Sequence, residues 1–337
     1  MIKFLPKINE DELLSSYFAR MYSISPYTSS IAFSNQVFIN GSEYMDYLFY
    51  NGYKDDIKEL LDESFGIQNL IENHTLVKLY SLFQDDNIKR ETITKACRFD
   101  KYITHQLNIP APLKEKRRLR YCPLCMKEQK YFYFEVLPQI RELTYCPKHC
   151  CKYKNTNILI DKKHDSSFNE IIDTKIEIDN YYCIAADDIN VRFSKYVYSV
   201  LKQPITFENA SIGKFIKSKL EGTKYLSMHG VRCKLDILYG DIKSFYVGLD
   251  NYGLTKNRVA LIIRDKEFNV IDTLLICYFL DISPKELTHR VLPMKTQREL
   301  FERKVLMMYR EGKSMCAISK ITCCDKETIR QIIINCS

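Results

Sequence analysis

The spacing of four residues limits what this chain can fold into more than any other feature does. Cys122 and Cys125 are followed, after twenty residues, by Cys146 and His149, giving C-x2-C-x20-C-x2-H. Two residues between donors let a tight knuckle aim both side chains at one ion. Two such knuckles supply four soft or borderline donors in a tetrahedron, which suits zinc. Pro123 and Pro147 follow the first donor of each pair and stiffen the turns. Four protein donors close the coordination sphere, so the expectation is one structural zinc ion rather than a catalytic one with an open position. Cys150 and Cys151 directly follow His149, and either can stand in for the fourth donor, which stays open at this point. The aromatic run Tyr131-Phe132-Tyr133-Phe134-Glu135-Val136-Leu137 reads as strand-like, so a β-hairpin carrying the second knuckle is expected.

Thirteen cysteines, an odd number scattered through 337 residues, argue for reduced thiols rather than a disulfide scaffold. No apolar stretch approaches the roughly 18 residues of a membrane helix. The opening Met1-Ile2-Lys3-Phe4-Leu5-Pro6 lacks a basic segment followed by an apolar run, so no membrane association and a cytoplasmic location are expected. Fifty Lys and Arg against 42 Asp and Glu give a net charge of +8, distributed unevenly. Residues 1–100 hold 10 basic and 15 acidic side chains, whereas residues 101–152 hold 11 and 4. A basic block beside an acidic one points to a polyanion-binding surface next to a region with another task. Within the block, Lys116, Arg117, Arg118 and Arg120 lead into the first knuckle, and arginine forks fit phosphate oxygens.

The first hundred residues read as helical. Asp11 is placed to cap a helix with apolar positions Leu13, Leu14, Tyr17, Phe18 and Met21. A second helix is expected over Tyr53–Ser64, and a third opening at Asn73-His74-Thr75 and running through Leu76, Tyr80 and Phe83. Gly52 and Gly66 separate helices, and the prolines of Asn108-Ile109-Pro110-Ala111-Pro112 end the segment. Helical patterning returns at Ile189–Lys202, Ile212–Leu220 and Val270–Leu280. The fold class is therefore mainly α: multi-helical, with helix-turn-helix units and a small inserted zinc-finger (zinc-ribbon-like) β-hairpin module. Five regions follow: an N-terminal helical domain (1–112), the zinc-finger module (113–152), a linker (153–188), a second helical domain (189–290) and a C-terminal helix-turn-helix (291–337).

In the last region, Thr296-Gln297-Arg298-Glu299 reads as a capping box opening a helix with Leu300, Val305, Met308 and Tyr309 on its apolar face. Gly312 stops it. Ser314 caps a short second helix, and Asp325 caps a third. On that third helix Lys326, Thr328, Arg330 and Gln331 are the candidates to reach bases or phosphates of duplex DNA. His74, His105 and His164 are isolated in sequence and suggest no catalytic centre, so no enzyme activity is expected.

Four blocks in order along residues 4–149 resemble the TniQ/TnsD family. They are Phe4-Leu5-Pro6 with Asp11-Glu12-Leu13-Leu14-Ser15-Ser16-Tyr17 and Ala19-Arg20; Asn73-His74-Thr75-Leu76 with Tyr80 and Phe83; Leu119-Arg120-Tyr121-Cys122-Pro123-Leu124-Cys125; and Cys146-Pro147-Lys148-His149, with Tyr133-Phe134 and Leu137-Pro138 between the last two. Arg264-Asp265-Lys266, Leu274-Leu275-Ile276 and Phe279-Leu280-Asp281 look like the C-terminal extension of TnsD-type proteins. The chain departs from the family pattern in having no tryptophan and in placing Cys150 where glycine usually follows the last histidine. The resemblance implies a non-catalytic target-selection protein of TnsABCD-type transposons, working in the bacterial cytoplasm at the nucleoid. Such a protein binds the insertion site in double-stranded DNA, or a CRISPR guide-RNA effector complex on it, and recruits the AAA+ ATPase TnsC and through it the transposase. A homodimer stays open as well. The acidic N-terminal region, with Asp55, Asp56, Asp85 and Asp86, is then a candidate docking surface for a basic partner.

Overall fold

A computed structural model describes residues 5–39, 53–98, 118–159, 168–207, 209–226, 233–266, 269–292, 294–322 and 324–336. The chain is mainly helical. The N-terminal part comprises α1 (Leu14–Ser23), α2 (Ser30–Val37), α3 (Asp55–Phe65), α4 (Ile67–His74), α5 (Val77–Ser81) and α6 (Asp86–Arg98). Strand β1 (Arg118–Tyr121), helix α7 (Pro123–Glu128), strand β2 (Lys154–Leu159) and helix α8 (Phe168–Ile172) follow. The next group is α9 (Ile189–Lys202), α10 (Ile212–Lys219), α11 (Leu235–Phe245), α12 (Lys256–Ile263), α13 (Val270–Phe279) and α14 (Pro284–Thr288). Three helices close the described chain: α15 (Met294–Arg310), α16 (Met315–Thr322) and α17 (Lys326–Cys336).

The apolar spacing of α1 buries Leu14, Tyr17, Phe18 and Met21 as expected, but Asp11 does not cap it. Asp11 sits in a left-handed turn at φ 62°, and its carboxylate accepts from Tyr198 and Lys202 of α9 instead. Residues 73–75 end α4 rather than opening a helix. Thr75 accepts from the Val77 amide to start the short α5. Gly66 joins α3 to α4 at φ +73°, where a side chain is disfavoured by its backbone rather than by space. Gly52, the prolines of 108–112, His105 and His164 lie outside the described residues.

The segment 153–188 is not a free linker. β2 pairs antiparallel with β1 in a two-stranded sheet. Phe168 of α8 is fully buried among N-terminal rings, 5.4 Å from Phe33 and 6.1 Å from Tyr22. One continuous apolar core runs from Leu13 through Leu119, Phe134 and Phe168 to Leu274 and Leu287. Buried residues of the Cys/His segment and of both helical regions therefore share one core.

The aromatic run 131–137 does not form the expected hairpin either. Its backbone pairs with the N-terminal segment: Leu13 N–H donates to Phe134 C=O at 2.6 Å, and Val136 N–H to Asp11 C=O at 2.9 Å. Glu12 and Glu135 make an isolated antiparallel bridge. Phe134 N–H donates to the Ser16 hydroxyl. The strand-like alternation is satisfied, but by a partner more than a hundred residues away in sequence.

The C-terminal helices have a separate core of Val305, Met308, Ile318, Ile329, Ile332 and Ile333. Helix α15 begins at Met294, two residues before Thr296, so Thr296-Gln297-Arg298-Glu299 is not its cap. Gly312 breaks the chain after α15 at φ +83°. Ser314 accepts from Ala317 N–H, and Asp325 accepts from the Thr328 amide and hydroxyl at 2.8 and 2.6 Å, as N-caps do.

Candidate functional site

The two knuckles come together. Cys122 follows β1 and is the residue before α7, which carries Cys125; Cys146 and His149 arrive on the turn before Lys152. The four donor atoms lie within 4.8 Å of one another. Cys125 Sγ is 3.7 Å from Cys146 Sγ, and His149 Nδ1 is 3.6, 3.3 and 3.8 Å from the sulfurs of Cys122, Cys125 and Cys146. Zinc bonds of ~2.3 Å to sulfur and ~2.1 Å to nitrogen place tetrahedral donors about 3.6 Å apart. The set therefore fits one tetrahedral ion, and its three soft donors and one borderline donor suit zinc. All three cysteines are buried. Thiol hydrogen bonds from Cys125 and Cys146 favour a thiolate at Cys122, below the ordinary thiol range. Bound there, a metal would tie both knuckles to the core and supply no chemistry of its own.

His149 faces the donor set with Nδ1 and presents Nε2 to Glu128 Oε1 at 3.0 Å. A nitrogen that binds metal carries no proton, so with a metal on Nδ1 the Nε2–H would be the donor and Glu128 would fix both tautomer and ring orientation. Lys148 and His149 together hold the Glu128 carboxyl below its usual range. Sequence reading missed Glu128 because it lies 21 residues from the histidine it orients. Cys150 and Cys151 are not in the four-donor set. Cys150 adopts φ 55°, a left-handed conformation that favours glycine.

The blocks that resemble family signatures meet in space. Glu12 is fully buried and paired with Arg20, whose Nε and Nη2 donate to its two oxygens at 3.0 and 2.8 Å. Asn9 adds two bonds to the same carboxylate. The Glu12 backbone carbonyl accepts from His74 Nδ1 at 2.8 Å. A carbonyl only accepts, so Nδ1 carries the proton, and burial pushes the His74 pKa down. His74 is thus a neutral latch between α4 and the N-terminal segment. Farther along, Asp265 accepts from the Gly213 amide and the Ser211 hydroxyl at 2.7 and 2.8 Å, so it holds the start of α10.

The candidate nucleic-acid contacts divide. Lys116 and Arg117 lie outside the described residues. Arg118 is exposed on β1 and donates to the Thr156 carbonyl. Arg120 is turned inward: its guanidinium donates to the carbonyls of Ile140, Arg141 and Leu143, and burial lowers its pKa to about 10. It remains charged at neutral pH, but it clamps the 140–143 turn and shows no free fork to solvent. Lys326, Thr328, Arg330 and Gln331 are all exposed on α17. Glu327 sits among them, 3.7 Å from Arg330 and 2.9 Å from Gln331. Among the acidic candidates, Asp55 and Asp56 are exposed in the first turn of α3, whereas Asp86 accepts from the Asn209 amide and pairs with Lys89.

Residues 3–152 match the TniQ family. No curated protein matches the chain. Among the described residues, no helix is long and apolar enough to cross a membrane.

Proposed function

Residues 3–152 form a TniQ-family domain, which ties the chain to transposition, and from that premise we propose that it selects the insertion site in TnsD fashion. In this reading the chain binds duplex DNA sequence-specifically and recruits a TnsC-type AAA+ ATPase, which brings the transposase. It carries out no catalytic step and works in the bacterial cytoplasm at the nucleoid. The donor set of Cys122, Cys125, Cys146 and His149 holds one structural zinc ion. The observation that carries the DNA reading is the self-contained C-terminal unit. Its own core presents the exposed face of α17, and residues 291–337 hold nine Lys and Arg against five Asp and Glu. A pure adaptor needs no such unit. Lys326, Thr328, Arg330 and Gln331 are the proposed readers, supported by Lys116, Arg117 and Arg118 on phosphates. Glu327 adds specificity by penalising misplaced phosphates. The exposed Asp55 and Asp56 are the proposed acidic contribution to docking the ATPase.

The test is a selection from random and genomic duplexes with the zinc-loaded protein at ~150 mM salt, where nonspecific phosphate binding is weakened. Enrichment of one site by roughly 10³-fold over bulk DNA is the expected result. Flat, salt-sensitive binding would sink it and leave the second reading, a TniQ-type adaptor between a CRISPR effector and the ATPase, which the match over residues 3–152 fits equally well.

A further inference from the structure

Beside the metal donors lies a second pair of thiols. The stretch Cys150–Lys152 runs antiparallel to Tyr182–Ile184. Lys152 N–H donates to Tyr182 C=O at 2.8 Å, and Ile184 N–H donates to Cys150 C=O at 3.0 Å. These two bonds flank Cys151 and Cys183, which face each other as an isolated antiparallel bridge. They are therefore a non-hydrogen-bonded pair, the kind in which Cα atoms approach to ~4.5 Å and same-face side chains lie closest. That separation falls inside the ~4.4–6.8 Å that a disulfide spans. Both thiols are free, Cys151 buried and Cys183 exposed. The Cys151 side chain interacts with those of both Cys183 and Cys122.

We infer that Cys151 and Cys183 are a site of reversible oxidative modification, closed into a cross-strand disulfide by exchange with a low-molecular-weight disulfide. The exposed Cys183 sulfur attacks one sulfur of the small disulfide and releases one small thiol, leaving a mixed disulfide. Cys151 then attacks the Cys183 sulfur and releases the second. Two protein thiols and one disulfide become one protein disulfide and two small thiols; two electrons and two protons pass to the small molecule. Placement sets the order of attack, because Cys183 is open to the reagent and Cys151 meets it only through Cys183. The bridge would fasten residues 182–184 to the strand that leaves the second knuckle. In a reducing compartment the pair stays open, and it responds when the thiol–disulfide balance shifts.

The experiment uses the full-length, zinc-loaded protein equilibrated with excess oxidised glutathione, then alkylated, digested and read by mass spectrometry, with zinc measured in parallel. The expected result is a linked peptide joining Cys151 to Cys183 with zinc content unchanged. Cys183→Ser, a surface change, is expected to abolish that link and keep the zinc. Cys151→Ala is expected to trap glutathione on Cys183. Unreacted thiols, a stable glutathione adduct on Cys183 of the unmodified sequence, or a disulfide that includes Cys122, Cys125 or Cys146 with zinc released would each overturn the inference.

Discussion

The Cys/His segment and the C-terminal helices are both small units marked by strong sequence patterns, yet they are held in opposite ways. The first has no separate core of its own among the described residues: Leu119, Phe134, Leu137 and Ile140 are buried in the core shared with the N-terminal helices and with α9 to α14. Its fixed points are four donors for one ion, the Arg120 clamp and backbone pairing to residues 11–13. The C-terminal unit keeps Val305, Ile318 and Ile329 at 0% exposure within a core of its own. The difference teaches that a Cys/His knuckle can be a weld between layers of a larger body, whereas a helical unit of similar size can be closed by an apolar core of its own.

The strongest way to break the comparison is to remove the metal. Structural zinc sites contribute about 10–16 kcal/mol of apparent binding free energy at neutral pH, and an ion held by these four donors would be wired into the common core. Chelation is expected to collapse tertiary signals across the body, including α1 and α9, while the signals of α15 to α17 persist. Side-chain NMR of the full chain with and without chelator checks this. Loss confined to residues 118–159 would show that the segment is an appendage rather than a weld.

Arg120 offers the next largest effect. Its guanidinium satisfies three carbonyls in the 140–143 turn, and hydrogen bonds from a charged group contribute roughly 1.5–3 kcal/mol each without adding fully. Arg120→Ala is expected to destabilise the body by about 3 kcal/mol in urea unfolding, and Arg120→Lys to recover little, since an ammonium lacks the fork. A stable Arg120→Ala protein with weakened DNA binding would instead restore Arg120 to the phosphate-contact set.

Those contrasts also mark what the sequence could disclose. The donor spacing is local, so the four-residue cluster was legible from Cys122 to His149 alone. The caps at Ser314 and Asp325 were legible for the same reason. Arg120 and Arg330 read alike as basic side chains, because the carbonyls that claim Arg120 lie some twenty residues onward and belong to a turn no pattern foretells. The run 131–137 alternates as a strand should, but its partner is Asp11 to Leu13, and a period of two carries no address. Segment 153–188 looked unpatterned because its two anchors, β2 and Phe168, are short and separated.

In the C-terminal unit, Ile329→Ala is expected to cost about 2–3 kcal/mol, toward the low end for a large-to-small change because a small core can partly close over the cavity. The unit is expected to lose its helices and the chain its DNA affinity, while the main unfolding transition stays within ~0.5 kcal/mol of the parent. Calorimetry beside a DNA-binding assay checks it. A fall in the main transition would mean that the two cores are coupled, and the separation drawn above would fail.

The smallest effect sharpens the metal side. Cys150 holds φ 55° while its amide donates to Cys146 C=O and its carbonyl accepts from Ile184. That conformation returns the chain from the second knuckle onto the strand that pairs with residues 182–184, and it costs a residue with a Cβ about 1–2 kcal/mol. Glycine removes that cost but gives back part of it through the freer unfolded chain. Cys150→Gly is therefore expected to stabilise the protein by about 0.5 kcal/mol, read as a small rise in urea midpoint at unchanged slope, with one zinc still bound. The same variant decides the fourth donor. If Cys150 were a ligand in place of His149, its removal would lower metal affinity by orders of magnitude, an effect of opposite sign and far larger than the relief of backbone strain.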